Sequence, residues 1–425
     1  MNAPSPAARF PLGRLLLLMG AAFAANTGEF LPAGVLPQMA AGLGVSEARI
    51  GLLVSTFALT VAISALPLTI LTSRIGQKRL LVIAIFAVGL ANLISALAPT
   101  YGLLAGSRVL GGLGHGLFWS TAMPYAASLV RQAQVGRAVS VVNMGTSLGF
   151  ILGVPLGTAI GLAVHWRAAF GAAGLVLIGF ALAVAVLLPA VPRPIAEPAR
   201  GSLLGDRGLH RMLVPSLIVI LAALGQYSLY TYISPWILGP GGVTVGALST
   251  LLFVFGLASA AGLVLVGVVA DRGLTMILTI VLGATALAVV AMALLAGIVP
   301  TAVLVALWGI AFAGFPTLVQ SAALRVATPR AHGLAGAIIA VAFNLAISGG
   351  ALVGGQVLEL QGLAALPWTQ LAFTLAAVLV TLLVLPRVLR EADREHARAA
   401  RARAESEPAA ASESAPERGT ADCTG

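Results

Sequence analysis

The sequence is poor in charge. Asp, Glu, Lys and Arg make up only 9% of its 425 residues, where a soluble globular domain carries about 25%. That deficit excludes an ordinary soluble fold. Cysteine is almost absent too. Cys423 is the only one and lies in the C-terminal tail, so there is neither a disulfide framework nor a cysteine metal cluster. Lysine occurs once, as Lys78, which leaves arginine as nearly the whole basic content. The arginines sit in short connections and in the tail, not on one helix face. The net charge of +10 therefore does not point to nucleic acid. The apolar segments hold no close acid pair and no metal-spaced cluster, which an intramembrane enzyme would need. No enzyme activity, cofactor or metal is expected.

What is abundant is apolar sequence: 59% of residues are hydrophobic and the mean hydropathy is +1.02. A membrane-crossing helix takes about 20 such residues. At roughly 35 residues per helix and loop, the chain has room for about twelve spans. The expected fold is an all-α integral membrane bundle. The 49 glycines suit it, because small residues let membrane helices approach closely.

Apolar segments fall near 13–36, 48–73, 79–98, 101–129, 139–164 and 168–190. A second set follows near 211–237, 246–270, 274–298, 301–324, 333–358 and 366–389. The expected organisation is an N-terminal stretch 1–12, a six-helix half 13–190, a linker 191–210, a second six-helix half 211–389 and a disordered tail 390–425. Arg9, Arg14, Leu15–Leu18 and Ala22-Phe23-Ala24 imitate a signal peptide. The apolar run continues past that point, so an uncleaved first helix is the better reading. Arg74, Lys78, Arg79, Arg131, Arg137, Arg272, Arg325, Arg330, Arg387 and Arg390 fall on one side with the linker. Both termini are then expected in the cytoplasm.

The halves echo each other. Ser73-Arg74-Ile75-Gly76 aligns with Asp271-Arg272-Gly273-Leu274, and Asn143, Gly149 and Gly153 align with Asn344, Gly350 and Gly354. Two facing parallel repeats with a site near the midplane are a recurring transporter plan.

Against this background Glu29 stands out, in Asn26-Thr27-Gly28-Glu29-Phe30-Leu31-Pro32. A carboxyl group at such depth costs a few kcal/mol or more and is usually functional. A group there that takes up and releases a proton is a plausible coupling element. Arg108 lies about two turns inside the fourth segment, roughly 10 Å deep. It needs a partner, either Glu29 or backbone carbonyls, unless it snorkels to the surface. His115, at i+7 from Arg108, shares its face. It is a candidate for substrate binding or proton relay, or else a carbonyl-bonded link between helices. Trp119 is a stacking surface for a ring or an apolar wall. Gln226, Tyr227 and Tyr230 cluster on the seventh segment, as cavity groups or as an interfacial aromatic belt. Asn26, Gln320 and Asn344 are further deep uncharged candidates.

Four stretches resemble the major facilitator superfamily, over roughly residues 10–390. Arg74, Gly76, Lys78 and Arg79 match its loop motif, although Thr69 and Ser73 stand where the motif has glycine and aspartate. Gly267, Asp271 and Arg272 make a better second copy. The resemblance implies that this aspartate helps latch one side of the bundle. Arg108 matches the family's intramembrane arginine. Gly145–Gly161, with Gly149, Gly153, Pro155 and Gly157, resembles the antiporter motif of twelve-span bacterial drug:proton antiporters. The Asn26–Pro32, Gly114–Ser120, His165–Arg167, Tyr230–Pro235 and Phe343–Gly354 stretches resemble the arabinose/sugar efflux branch, which includes some chloramphenicol exporters.

The resemblance implies two pseudo-symmetric six-helix halves and proton-coupled export of a small molecule, a sugar or a drug such as chloramphenicol. It also implies a bacterial inner-membrane location, with lipid and protons as partners and a monomer as the default. Proton-coupled uptake of a small metabolite is the alternative.

Overall fold

The computed structural model describes residues 10–191, 206–269, 273–295, 297–328 and 331–398. The described residues are almost wholly helical. In the first half, α1 (Leu12–Leu43), α2 (Glu47–Leu71), α3 (Gln77–Leu97) and α4 (Tyr101–Ser128) are followed by a broken span. That span comprises α5 (Val135–Leu148), a π-helical turn (Gly149–Gly153) and α6 (Val154–Ala163), before α7 (Trp166–Leu187). The second half runs through α8 (Arg207–Tyr230), the short α9 (Ile233–Leu238), α10 (Val245–Val269), α11 (Leu274–Leu294), α12 (Ile298–Ala313), α13 (Phe315–Val326), α14 (His332–Gln361) and α15 (Leu366–Leu383).

Eleven described helices are long and apolar enough to cross a membrane. By position α4 is the twelfth span; its 28 residues suffice in length, but Arg108, His115 and a run of glycines dilute its hydropathy. The short connections are set by local chemistry. Ser46, Thr100 and Asp206 cap α2, α4 and α8 by accepting a backbone N–H bond. Gly44 closes α1 at φ 62°, a left-handed conformation that only glycine adopts without strain.

Two boundaries differ from the sequence-based expectation. First, α1 does not stop at Leu36. It passes Pro32 and Pro37 and runs to Leu43, with Val35 (φ −121°, ψ 19°) absorbing the break. Second, helix continues to Arg398, into the segment expected to be a disordered tail. Arg211 and Arg325 hold it by bonds to Glu395 and Asp393 at 2.6 and 2.8 Å.

The repeat is visible in how each half packs. Gly145, Gly149, Gly153 and Gly157 lie against Met19, Asn26, Thr27 and Leu31 of α1. Gly350 and Gly354 of α14 lie in the same way against Tyr227 and Ser228 of α8. In each half the fifth span therefore seats its small residues on the first.

The halves touch mainly at the end of the bundle away from the chain termini. There Ser55 Oγ lies 2.9 Å from both the carbonyl and the hydroxyl oxygen of Ser348. Ser234 donates to Ala33 O at 2.6 Å, and Ser46 to Glu359 at 3.2 Å. The face of α2 that meets α14 at Ser55 continues through Leu59, Ile63, Leu66 and Ile70. Ile63 and Leu66 are 64% and 65% exposed, so the two helices have parted by that depth. The bundle is closed at the loop end and open toward the terminal end.

Candidate functional site

The deep charges come from helices that glycine brings together. Gly28 on α1 faces Asn92, which a Cβ there would strike. Gly111 and Gly114 on α4 face Phe57 and the carbonyl of Ala84. At these contacts α1, α3 and α4 approach closely enough to enclose Arg108, which is 1% exposed.

Its guanidinium donates to Gly28 O at 3.1 Å and to Ser95 Oγ at 2.7 Å. The ring of Phe170 packs 5.0 Å from its carbon. Of the two partners the sequence left open, the structure gives Arg108 a backbone carbonyl, with a serine in support.

Glu29 meets His115 instead. Its Oε2 lies 3.3 Å from His115 Nε2, and the two residues are 6% and 4% exposed. Trp119 Nε1 also reaches that nitrogen, at 2.8 Å. An indole N–H only donates, so Nε2 is the acceptor and the histidine proton sits on Nδ1. Nε2 has a single in-plane lone pair, which the indole N–H occupies, so Glu29 Oε2 lies beside a nitrogen that has no proton to offer it. Trp119 is thereby engaged with His115.

A cavity of about 400 Å³ lies between the halves. Asn143, Thr146, Ser147, Phe150 and Ile151 line it from the first half. Gln226, Tyr227, Tyr230, Phe255, Ser259 and Phe312 are among those lining it from the second. Its wall is uncharged. An aromatic layer joins the two sides: Phe30 lies 4.5 Å from Phe150 and stacks on Tyr227 at 5.8 Å. Tyr230 and Phe255 are 5.5 Å apart, and Phe255 and Trp308 5.1 Å. Phe30 follows Glu29 in sequence, so the acid is one residue from this wall.

Three of the expected substrate residues, Gln226, Tyr227 and Tyr230, line the cavity. The structure places Asn26, His115, Trp119, Gln320 and Asn344 elsewhere. Asn26 bonds Ala22 O at 2.8 Å and lies 3.5 Å from Thr146 of the lining. His115 and Trp119 belong to the Glu29 cluster. Gln320 is half-buried near Gly336. Asn344 donates to Ala340 O, one turn back on its own helix.

The glycine motif sits where the fifth span changes winding. The π turn at Gly149–Gly153 ends two residues before Pro155, which has no N–H to continue the ladder. A wide turn there is a recognised site of bending. In the loop motif Gly76 caps α3, Lys78 and Arg79 lie in its first turn, and Arg74 is exposed. Gly267 is near the end of α10 with open space beside it. Asp271 and Arg272 lie outside the described residues.

The sequence reading missed Asn143, Thr146, Ser147, Phe255 and Ser259 as cavity residues. It also missed Trp308 and Gln370, whose side chains both donate to Gln226 Oε1, at 2.9 and 2.8 Å. The available signal was a lone tryptophan or glutamine inside an apolar span.

A chloramphenicol efflux pump of Mycobacterium tuberculosis (strain CDC 1551 / Oshkosh) is 33% identical over 367 residues, covering 81% of this chain and 86% of that protein. A probable sugar efflux transporter of Helicobacter pylori (strain G27) is 31% identical over 370 residues, covering 84% and 90%. Among solved structures, a bacterial homolog of the human lysosomal transporter Spinster, in an inward-facing and occupied conformation, superposes with a TM-score of 0.67. It has 16% identity and covers 91% of this chain and 98% of that one. The family profile described as Major Facilitator Superfamily matches residues 18–215 and 215–416. With that span of the chain matched, and with twelve helices arranged as two facing sixes, this multi-pass membrane protein belongs to the Major Facilitator Superfamily.

Proposed function

We propose that the protein is a proton-coupled efflux transporter that exports a small neutral molecule, a sugar or a drug such as chloramphenicol. Among the described residues Glu29 is the only buried acid. Its carboxyl lies 3.3 Å from an acceptor nitrogen, one residue from the wall of an uncharged cavity. That contact carries the reading. Proton release from Glu29 would set a negative charge against the His115–Trp119 pair and act through Phe30 on Tyr227 at the cavity. Arg108 fixes α1 beside the acid by its bond to Gly28 O.

Transport would proceed by alternating access. The segments 13–190 and 211–389 would rock about the loop-end contacts, with the π turn and its glycines as the yielding element. We assign the terminal end, open here, to the cytoplasm on the arginine distribution; in a bacterial inner membrane the cavity mouth would then be cytoplasmic. Efflux pumps of chloramphenicol and sugars at 33% and 31% identity support export over uptake.

The test is transport of chloramphenicol and arabinose in inside-out vesicles under an imposed pH gradient. Accumulation that collapses when the gradient is dissipated is expected. Driven movement in the opposite direction, or accumulation without a gradient, would overturn the reading.

A further inference from the structure

Gln226 is buried, 3% exposed, at the junction of α8, α12 and α15. Its Oε1 lies 2.9 Å from Trp308 Nε1 and 2.8 Å from Gln370 Nε2. The indole N–H can only donate, so the Gln226 atom facing it must be the oxygen. The same logic turns the NH2 group of Gln370 toward that oxygen. Trp308 and Gln370 are both fully buried, so neither donor has water as an alternative. With both lone pairs of Oε1 taken, the group Gln226 has left is its amide nitrogen. Among the described residues Nε2 meets no acceptor, and Gln226 lines the cavity.

We propose that Gln226 is the specificity-determining donor of the cavity, and that the ligand is a neutral molecule carrying an acceptor oxygen on an aromatic or apolar body. This deepens the substrate-site reading of the cavity and rests on it. A carbonyl, nitro or sulfonyl oxygen would meet the fixed N–H. Phe150, Tyr227, Tyr230, Phe255 and Phe312 would receive the body. A hydroxyl-covered sugar would set most of its polar groups against these rings, and a cation would find no counter-charge in the wall. The locked amide also costs nothing to orient at the moment of binding.

The experiment is equilibrium titration of the full chain in lipid nanodiscs, with no gradient present. The probes are chloramphenicol, its analogue with the ring nitro group replaced by hydrogen, its neutral thioamide analogue with the amide oxygen replaced by the weaker acceptor sulfur, and arabinose. Wild type should bind one analogue roughly three- to tenfold more weakly than chloramphenicol, and arabinose more weakly still. In Gln226→Met that analogue difference should vanish. Trp308→Phe frees the two amides to turn together and should shrink it while keeping an aromatic wall. A role in packing alone would lower affinity for every probe equally.

Equal ratios in wild type and both variants would overturn the proposal. So would arabinose binding more tightly than chloramphenicol, or no binding of any probe to wild type. Because no gradient is used, these outcomes are separate from those of the export test. Acceptor-dependent binding without export would retire the efflux reading and leave this one standing, and export without acceptor dependence would do the reverse.

Discussion

The two halves share a plan but divide their polar residues differently. The first half holds every buried acidic, basic or imidazole side chain among the described residues: Glu29, Arg108 and His115. The second half buries neutral amides, hydroxyls and rings at the same depth, with Gln226, Gln370, Ser234 and Trp308 among them. A buried charge holds a helix to a fixed partner and can change by one proton. A buried amide cannot change charge, but it presents a donor in a set direction. On the proposed function the first half would do the coupling and the second half most of the choosing, with Phe30 and Phe150 reaching across.

The comparison breaks most directly at Glu29. Glu29→Gln keeps the size and shape of the side chain without a proton to release, so the fold should hold. Gradient-driven transport is expected to fall to background, while substrate exchange without a gradient continues. Driven transport at the wild-type rate would remove the coupling role from the first half. Arg108→Lys tests the neighbouring contact. An ammonium cannot hold Gly28 O and Ser95 Oγ in the fork geometry of a guanidinium. Losing one of these bonds should destabilise the protein by about 1–3 kcal/mol, read as thermal unfolding in detergent. An unchanged melting temperature would mean that Arg108 does not hold α1 to α3.

The sequence showed where charge was out of place but not what it touched. In a chain this apolar, Glu29 and Arg108 are conspicuous by composition alone, and so is the glycine pattern at Gly149 and Gly153. The partner of Glu29 was not legible. It depends on how far α4 slides along α1, which Gly28, Gly111 and Gly114 settle through close contacts with other helices. The cavity was half legible. Tyr227 and Tyr230 announced a face of α8, but Ser259 and Phe255 sit singly in a helix whose composition reads as generic membrane sequence. Asn143 and Asn344 align in the repeat, yet only Asn143 reaches the cavity, because the halves part at the terminal end and their spans do not face it equally.

A smaller effect tests whether the halves rock about the loop end. Ser55→Ala removes the side-chain link between α2 and α14, a bond of about 0.5–1.5 kcal/mol. The population with the terminal end open should fall roughly three- to tenfold relative to the other conformation. Labelling of Ile63→Cys in a Cys423→Ser background reads this, because Ile63 is exposed in the present conformation and closing the terminal end would bring α14 against its face of α2. Slower labelling after Ser55→Ala is expected. An unchanged rate would mean that the link does not bias the equilibrium.

The smallest effect is expected where charge is plentiful and wet. The Arg325–Asp393 pair has good geometry at 2.8 Å, but its side chains are 50% and 44% exposed. Solvent and salt screen such a pair, and exposed pairs contribute about 0–1 kcal/mol. Arg325→Gln should therefore leave transport at the wild-type rate and shift the melting temperature by little. Arg325 and Arg108 carry the same side chain, one half exposed against a carboxylate and the other buried against a carbonyl and a hydroxyl. If the two substitutions destabilised the protein equally, burial would not be what makes the first-half charges matter, and the assignment of coupling to Glu29 would lose its physical basis.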